Sequence, residues 1–216
     1  MKTLVLTQDH VEALRWFRKA ADKGNAHAMY SVGVCYENGR GVSQDCATAA
    51  NWYRMSAQNE FPFAGHNLGL LYYDGRGVER VLETARHWFR NAQWIERDPR
   101  RAMWIWLCSS ELGEHEQAER ELKGYREAHH PASVEGRILA HLAGEFSETD
   151  LIKPYESAPY PAEIIGRLFY CAGMKNLFAG NRKRAIELIE KSVKSSPKDS
   201  AICRTATRQL ARMRAE

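Results

Sequence analysis

Eight histidines, five cysteines and two copies of Gly-Arg-Gly are the residues of this 216-residue chain with the most obvious chemical potential. Histidine and cysteine at close, regular spacing would hold zinc, and a glycine-rich loop between a strand and a helix would cradle phosphate. Neither pattern is met. His129 and His130 are adjacent, but the chain has no His-Glu-x-x-His and no Cys-x-x-Cys. The two histidines read instead as a helix end, where a cationic ring suits the dipole. Gly39-Arg40-Gly41 and Gly75-Arg76-Gly77 lie between two helical patterns, so they read as turns. No Gly-x-Ser-x-Gly nucleophile motif is present. No catalytic residue, metal or cofactor is therefore assigned. What remains is a recognition surface. His27, Tyr30, Val34 and Glu37 form a stripe at helical spacing, and Phe63, His66, Leu70 and Tyr73 repeat it one period later. Large rigid side chains of this kind suit the anchoring of a peptide. The alternative is that the same residues pack against the neighbouring repeat.

The elements that must position these residues recur every 36 residues. Gly33 becomes Gly69, Tyr36 becomes Tyr72, and Gly39-Arg40-Gly41-Val42 becomes Gly75-Arg76-Gly77-Val78. The same shift relates Ala13, Ala49 and Ala85, Trp16, Trp52 and Trp88, and Phe17, Tyr53 and Phe89. A period of this size marks stacked helical repeats. A first helix is expected from Asp9, as its cap, to Asp22, ended by Gly24. Ala26 to Asn38 forms the next, and Asp45 caps its partner. Pro62 opens the following helix, whereas Val81 stands where a capping Asp is expected. The Trp and Phe/Tyr stripe is expected in the core, because it recurs with alanine at fixed offsets.

This pattern, Ala-x-x-Trp-Tyr/Phe-x-x-Ala-Ala followed by Gly-x-x-Tyr-x-x-Gly-x-Gly-Val, resembles the Sel1-like repeat, a relative of the tetratricopeptide repeat. The resemblance implies an all-α, right-handed superhelical solenoid of antiparallel helix pairs. It also implies a protein-binding scaffold, often bacterial, and places the first-helix stripe of His27, Tyr30, Val34, Glu37, Phe63, His66, Leu70 and Tyr73 on the concave groove. Residues 1–97 are assigned to the repeats. Residues 98–146 are similar to the segment that closes such arrays, with Asp98-Pro99 opening its first helix and Pro131 its third. Residues 147–161, with three prolines, are expected to be a linker. Residues 162–216 resemble a tetratricopeptide hairpin, through Phe169, Gly173, Gly180, Ala185, Ile189, Ser192 and Pro197, followed by a basic helix from Asp199 to Arg214.

Composition narrows the function classes further. No apolar run approaches the roughly 20 residues that span a bilayer, and the N-terminus carries no signal-peptide core, so a cytoplasmic protein is expected, with a periplasmic or secreted form open if the chain is processed. The cysteines at 35, 46, 108, 171 and 203 are odd in number and scattered, which favours reduced thiols over a disulfide framework. A net charge of +4 is only mildly basic, so nucleic acid is not the expected partner. The leading expectation is a non-catalytic adaptor that binds a protein or peptide. The alternatives are a hydrolase or beta-lactam-binding protein of the cysteine-rich Sel1-like kind, and an acidic-polymer or nucleic-acid binder acting through Arg204, Arg208, Arg212 and Arg214.

Overall fold

The computed structural model describes residues 2–92, 99–126, 133–155 and 160–215, with side chains from residue 9 in the first stretch and from residue 100 in the second. Among these residues every regular element is a helix, and the chain divides into two compact units, residues 1–96 and 97–216.

The first unit holds α1 (Lys2–Ala21), α2 (Ala26–Asn38), α3 (Cys46–Gln58), α4 (Pro62–Asp74) and α5 (Leu82–Asn91). Helices consecutive in the chain are neighbours in space, as short connections require. α1 begins well before the expected Asp9, which lies inside the helix and caps nothing; residues 2–8 contain no Gly or Pro to stop the helix earlier. Asp45 does cap α3, accepting from the amides of Ala47 and Thr48, while Val81 offers α5 no side-chain cap. Asn25 caps α2, and Pro62 occupies the first turn of α4.

Side-chain contacts repeat with the sequence. A Cβ on Gly33 would stand 2.6 Å from the Tyr53 ring, and one on Gly69 would stand 2.7 Å from the Phe89 ring. Only glycine lets the aromatic lie flat on the facing helix. Gly41 and Gly77 take φ of +71° and +68° while pressing on the backbone of residues 10–11 and 46–47, so the turn locks onto the middle of α1 in one copy and the start of α3 in the next. Gln44 donates to the Glu37 carbonyl at 2.7 Å, and Arg80 donates to the Tyr73 carbonyl at 2.9 Å. These two side chains, 36 residues apart, satisfy the same helix-terminal acceptor. Arg18 donates to the Tyr36 hydroxyl and Arg54 to that of Tyr72.

The identical Gly-Arg-Gly turns differ in one respect. Arg76 is buried, donating to Glu37 Oε1 at 2.7 Å, with its Nε 3.6 Å from Asp74. The Tyr53 hydroxyl donates to the other Glu37 oxygen at 2.6 Å. Burial pulls the Arg76 guanidinium down, but the charge and hydrogen bond of Glu37, with Asp74, outweigh it and the net direction is up. Burial and the neighbouring Glu37 carboxylate hold the Tyr53 hydroxyl firmly protonated. Arg40 is exposed. Asn38 stands where Asp74 stands one period later, and Met1 stands where Glu37 does.

The tryptophans correct the expected core stripe. Trp52 packs on the cluster of Leu14, Met29 and Val32, and Trp88 packs on that of Tyr53 and Leu68. Each therefore covers the preceding joint and is only partly buried. Trp16 has no such joint to cover among the described residues; it is 62% exposed, with the Lys19 ammonium 4.6 Å from the ring centroid.

The second unit holds α6 (Pro99–Glu111), α7 (His115–Arg126), α8 (Val134–Leu142), α9 (Glu148–Ile152), a 3-10 turn (Lys153–Tyr155), α10 (Ala162–Phe178), α11 (Arg182–Ser195) and α12 (Ala201–Ala215). Asp98, the His129-His130 pair and Pro131 lie outside the described residues. α6 is buried from Ala102 to Ser110. Within this unit Trp104 meets Tyr170, Trp106 meets Phe178, and the Cys171 thiol donates to Met103 Sδ at 3.3 Å.

The stretch expected as a linker departs from that expectation. Ser147 and Asp150 form a capping box that starts α9, and Leu151, Ile152 and Tyr155 are buried. Pro154 lies within the 3-10 turn that continues α9, and Pro161 stands at the N-cap of α10. α10 and α11 reproduce the repeat geometry: a Cβ on Gly173 would stand 2.6 Å from Ile189, and Ser192 donates to the Gly166 carbonyl as Ser56 donates to that of Ala26. The final basic helix begins at Ala201 rather than Asp199. It buries Ile202, Ala206, Leu210 and Met213, and Arg214 pairs with Glu190 at 2.6 Å.

Two predictions follow from these interiors. Arg76→Ala leaves Glu37 buried without its cation and should cost about 3–5 kcal/mol, whereas Arg40→Ala should change stability by no more than about 0.5 kcal/mol; denaturant titrations compare them. His141 is buried, with Nδ1 2.9 Å from the Phe146 carbonyl. Burial, then the nearby Lys175 charge, lower its proton affinity. The unfolded chain takes up this proton near pH 6.5 and the folded chain only at lower pH. Stability should therefore fall as the pH drops below about 6.5, until the folded-state value is passed. Thermal melts from about pH 8 to 5 should show this slope, and His141→Gln should flatten it. Equal slopes in both proteins would acquit His141.

Candidate partner-binding groove

The first unit carries the stripe singled out above, and the structure divides it. Leu70 and Tyr73 of α4 are interior, Tyr73 at 0% exposure, and Glu37 is committed to Tyr53 and Arg76. These three form the wall of the repeat and are withdrawn from the expected contact surface. The helical stripe is wide enough that its outermost positions turn back into the core of the next repeat.

His27, Tyr30 and Phe63 are gathered into an aromatic ridge. Tyr30 lies 5.0 Å from Phe61 and 6.3 Å from Phe63 by ring centroid, and His27 meets Phe61 edge-on at 5.2 Å. Phe63 is 45% exposed at its crest. Asn67 donates to the Tyr30 hydroxyl at 3.4 Å. Burial, above all, raises the Tyr30 hydroxyl's proton affinity, with Glu37 adding to it and Asn67 opposing it. His66 packs on Phe89 at 5.5 Å. Phe61 was missed by reasoning from sequence. It sits at the cap position of α4, outside the helical period, and the Phe-Pro-Phe run was its one signal.

Beside the ridge, α1 and α2 enclose a groove of about 340 Å³ lined by Ala13, Phe17, Tyr30, Val34, Cys35 and Arg40, among others. Its floor is apolar and partly exposed, with one guanidinium at the rim. Burial raises the proton affinity of the Cys35 thiol, against the charges of Arg40 and Arg18, which disfavours the thiolate. All five cysteines are free. Among the described residues no three His, Cys, Asp or Glu stand close enough to share a metal ion, and no helix is long and apolar enough to cross a membrane. The groove offers apolar contact and one positive charge.

Two substitutions separate ridge from wall. Tyr73→Ala should cost about 3–5 kcal/mol as a cavity in the core. Phe63→Ala should leave the thermal midpoint within a few degrees, because its ring is already near half in water. Differential scanning calorimetry reads both.

Known proteins carry the same pattern. The Sel1 repeat model matches residues 4–25, 26–61, 62–92 and 93–114. The fourth match takes in α6, which had been assigned to the capping segment. A 37-residue stretch is 49% identical to "DAP3-binding cell death enhancer 1" of Rattus norvegicus and of Mus musculus; it covers 17% of this chain and only 7% of those proteins. The crystal structure of a Sel1 repeat protein from Oxalobacter formigenes superposes over 95% of this chain and 79% of its own, with TM-score 0.53 and 21% identity. The protective antigen c5321 of uropathogenic Escherichia coli, which displays an SLR fold, aligns over 92% of this chain and 40% of its own, with TM-score 0.49 and 22% identity. The fold is an all-α helical repeat solenoid, and with four matched copies over half its length the chain belongs to the Sel1 repeat family.

Proposed function

We propose that this protein is a non-catalytic adaptor whose first unit captures a protein segment in the groove between α1 and α2, with the ridge of His27, Tyr30 and Phe63 as a second contact. Sel1 repeat proteins are generally protein-interaction scaffolds. The observation that carries the reading is the ridge of Tyr30 and Phe63, the latter 45% exposed, beside an apolar groove. Aromatic groups held rigidly by neighbouring rings lose little entropy on binding. The mammalian proteins that share one repeat-sized stretch bear a name that describes binding to DAP3. That partner is theirs; what supports the present reading is that such a repeat occurs in a protein named for a protein contact.

The cysteine-rich enzyme alternative needs paired cysteines in each repeat, and the free thiols at 35 and 46 give it no support. A basic-helix reading loses weight from the ion pair of Arg214 with Glu190.

The test is selection of a displayed peptide library on the immobilised full chain, followed by titration of the enriched peptides. Phe63→Ala and Val34→Ala should each weaken binding about tenfold, near 1.4 kcal/mol, with Phe63→Ala folding as the wild type does. Enriched peptides that bind both variants as tightly as the parent would overturn the groove and ridge as the contact surface.

A further inference from the structure

Where α3, α4 and α5 meet lies another cavity, of about 200 Å³, lined by Ala57, Glu60, Phe61, Gly65, Trp88 and Asn91, among others. We infer that it receives a lysine or arginine side chain of a protein partner, the cation meeting the Glu60 carboxylate while a nearby apolar residue of the same segment rests on Phe63. This rests on the ridge proposed above as a contact and names what the partner brings to it.

The repeat supplies its own comparison. One period earlier the equivalent place is filled from within. Met29 stands where Gly65 does; it is 5% exposed and packs with Leu14 and Ala21. Ser56, the counterpart of Ala92, donates to the Ala26 carbonyl at 2.7 Å. Gly65 has no side chain to put there, so the cavity is opened by a difference inside the array.

The same joint carries a charge that the earlier one lacks. Glu60 corresponds to Gly24 and keeps its left-handed backbone, at φ of +60° against +86°. Among the described residues it is the one non-glycine with positive φ, a conformation that costs a side chain more than it costs glycine. Its carboxylate is exposed, and no cation among the described residues pairs with it.

Glu60 is also the only charged residue in the cavity's lining. The C-terminal ends of α3 and α5 border the same space, adding the negative ends of two helix dipoles. Arg90, in the last turn of α5, does not line it. The first turn of α4 opposes the two dipoles, but it opens on Pro62, which offers no N–H. A long basic side chain suits such a site, because its methylenes lie against apolar walls while the charged head stays at the wet rim. Phe61 joins the cavity to the ridge, its ring 5.0 Å from that of Tyr30 and 5.5 Å from that of Phe63. An extended segment rises about 3.3 Å per residue, so the basic and apolar residues fall about two or three positions apart.

The probe is the set of peptides enriched from the displayed library on the immobilised full chain. They should carry Lys or Arg at that distance from an aromatic or aliphatic residue. Replacing that Lys or Arg by Gln should weaken binding about tenfold in an anisotropy titration. Glu60→Gln and Glu60→Gly in the protein should weaken the parent peptide to the same extent and make it indifferent to the replacement. Glu60→Gly should do so with a thermal midpoint at or above that of the wild type, because glycine relieves the left-handed backbone. Glu60→Lys should instead enrich peptides with Asp or Glu at the same position. Peptides that need Phe63 yet bind as tightly with Gln, or bind Glu60→Gln as tightly as the wild type, would overturn the cation site and leave the ridge in use. Peptides that depend on Glu60 but on neither Phe63 nor Val34 would keep the cation site and overturn the ridge and groove. A midpoint that falls along with affinity in both Glu60→Gln and Glu60→Gly would make Glu60 a folding residue and overturn the inference.

Discussion

A ring laid on a helix that has no side chain beneath it sets the spacing of the first unit. Tyr53 over Gly33 and Phe89 over Gly69 bring paired helices closer than any other residue at 33 or 69 would allow. That approach fixes where the following turn lands. Gly41 and Gly77 can then press on backbone, and Gln44 and Arg80 reach the same helix-terminal carbonyl. The α10–α11 hairpin meets the constraint with Gly173 under Ile189, and without the longer Gly-x-Gly loop. Close approach, not the loop, is therefore the common requirement.

The period of 36 residues was legible because its carriers are small residues and rings at fixed local offsets, each doing one job in every copy. Legibility ended where partners lie a whole repeat apart. Arg40 and Arg76 sit in identical turns, and their different fates depend on whether a carboxylate stands 39 residues upstream. Neighbouring residues do not report that. Tyr73 falls in the groove stripe as the counterpart of Glu37, yet both are buried, while Phe63 in the same α4 stripe is exposed. The stretch 147–161 misled for another reason. Its prolines signalled breaks, while Leu151, Ile152 and Tyr155 are buried where α9 meets α8 and α10.

The candidate site follows the same division. Residues repeated letter for letter support the architecture, and those that vary between copies include the exposed ring of Phe63. Phe63 corresponds to His27, and both are exposed, so the two copies present different groups at one position of the same frame. A repeat protein obtains specificity in this way without altering the helices that hold it together.

The Glu37–Arg76 pair also governs how such an array can lengthen. A tandem duplication of residues 26–61 would set each new turn arginine over a Glu37 and each Glu37 beneath an arginine, so every added joint closes with its charges matched. A duplication of residues 62–97 would instead bring an arginine over Tyr73, leaving it the Asp74 carboxylate of its own turn and no counterpart of Glu37. The two copies look interchangeable, yet only the first carries both halves of the ion pair that joins one repeat to the next.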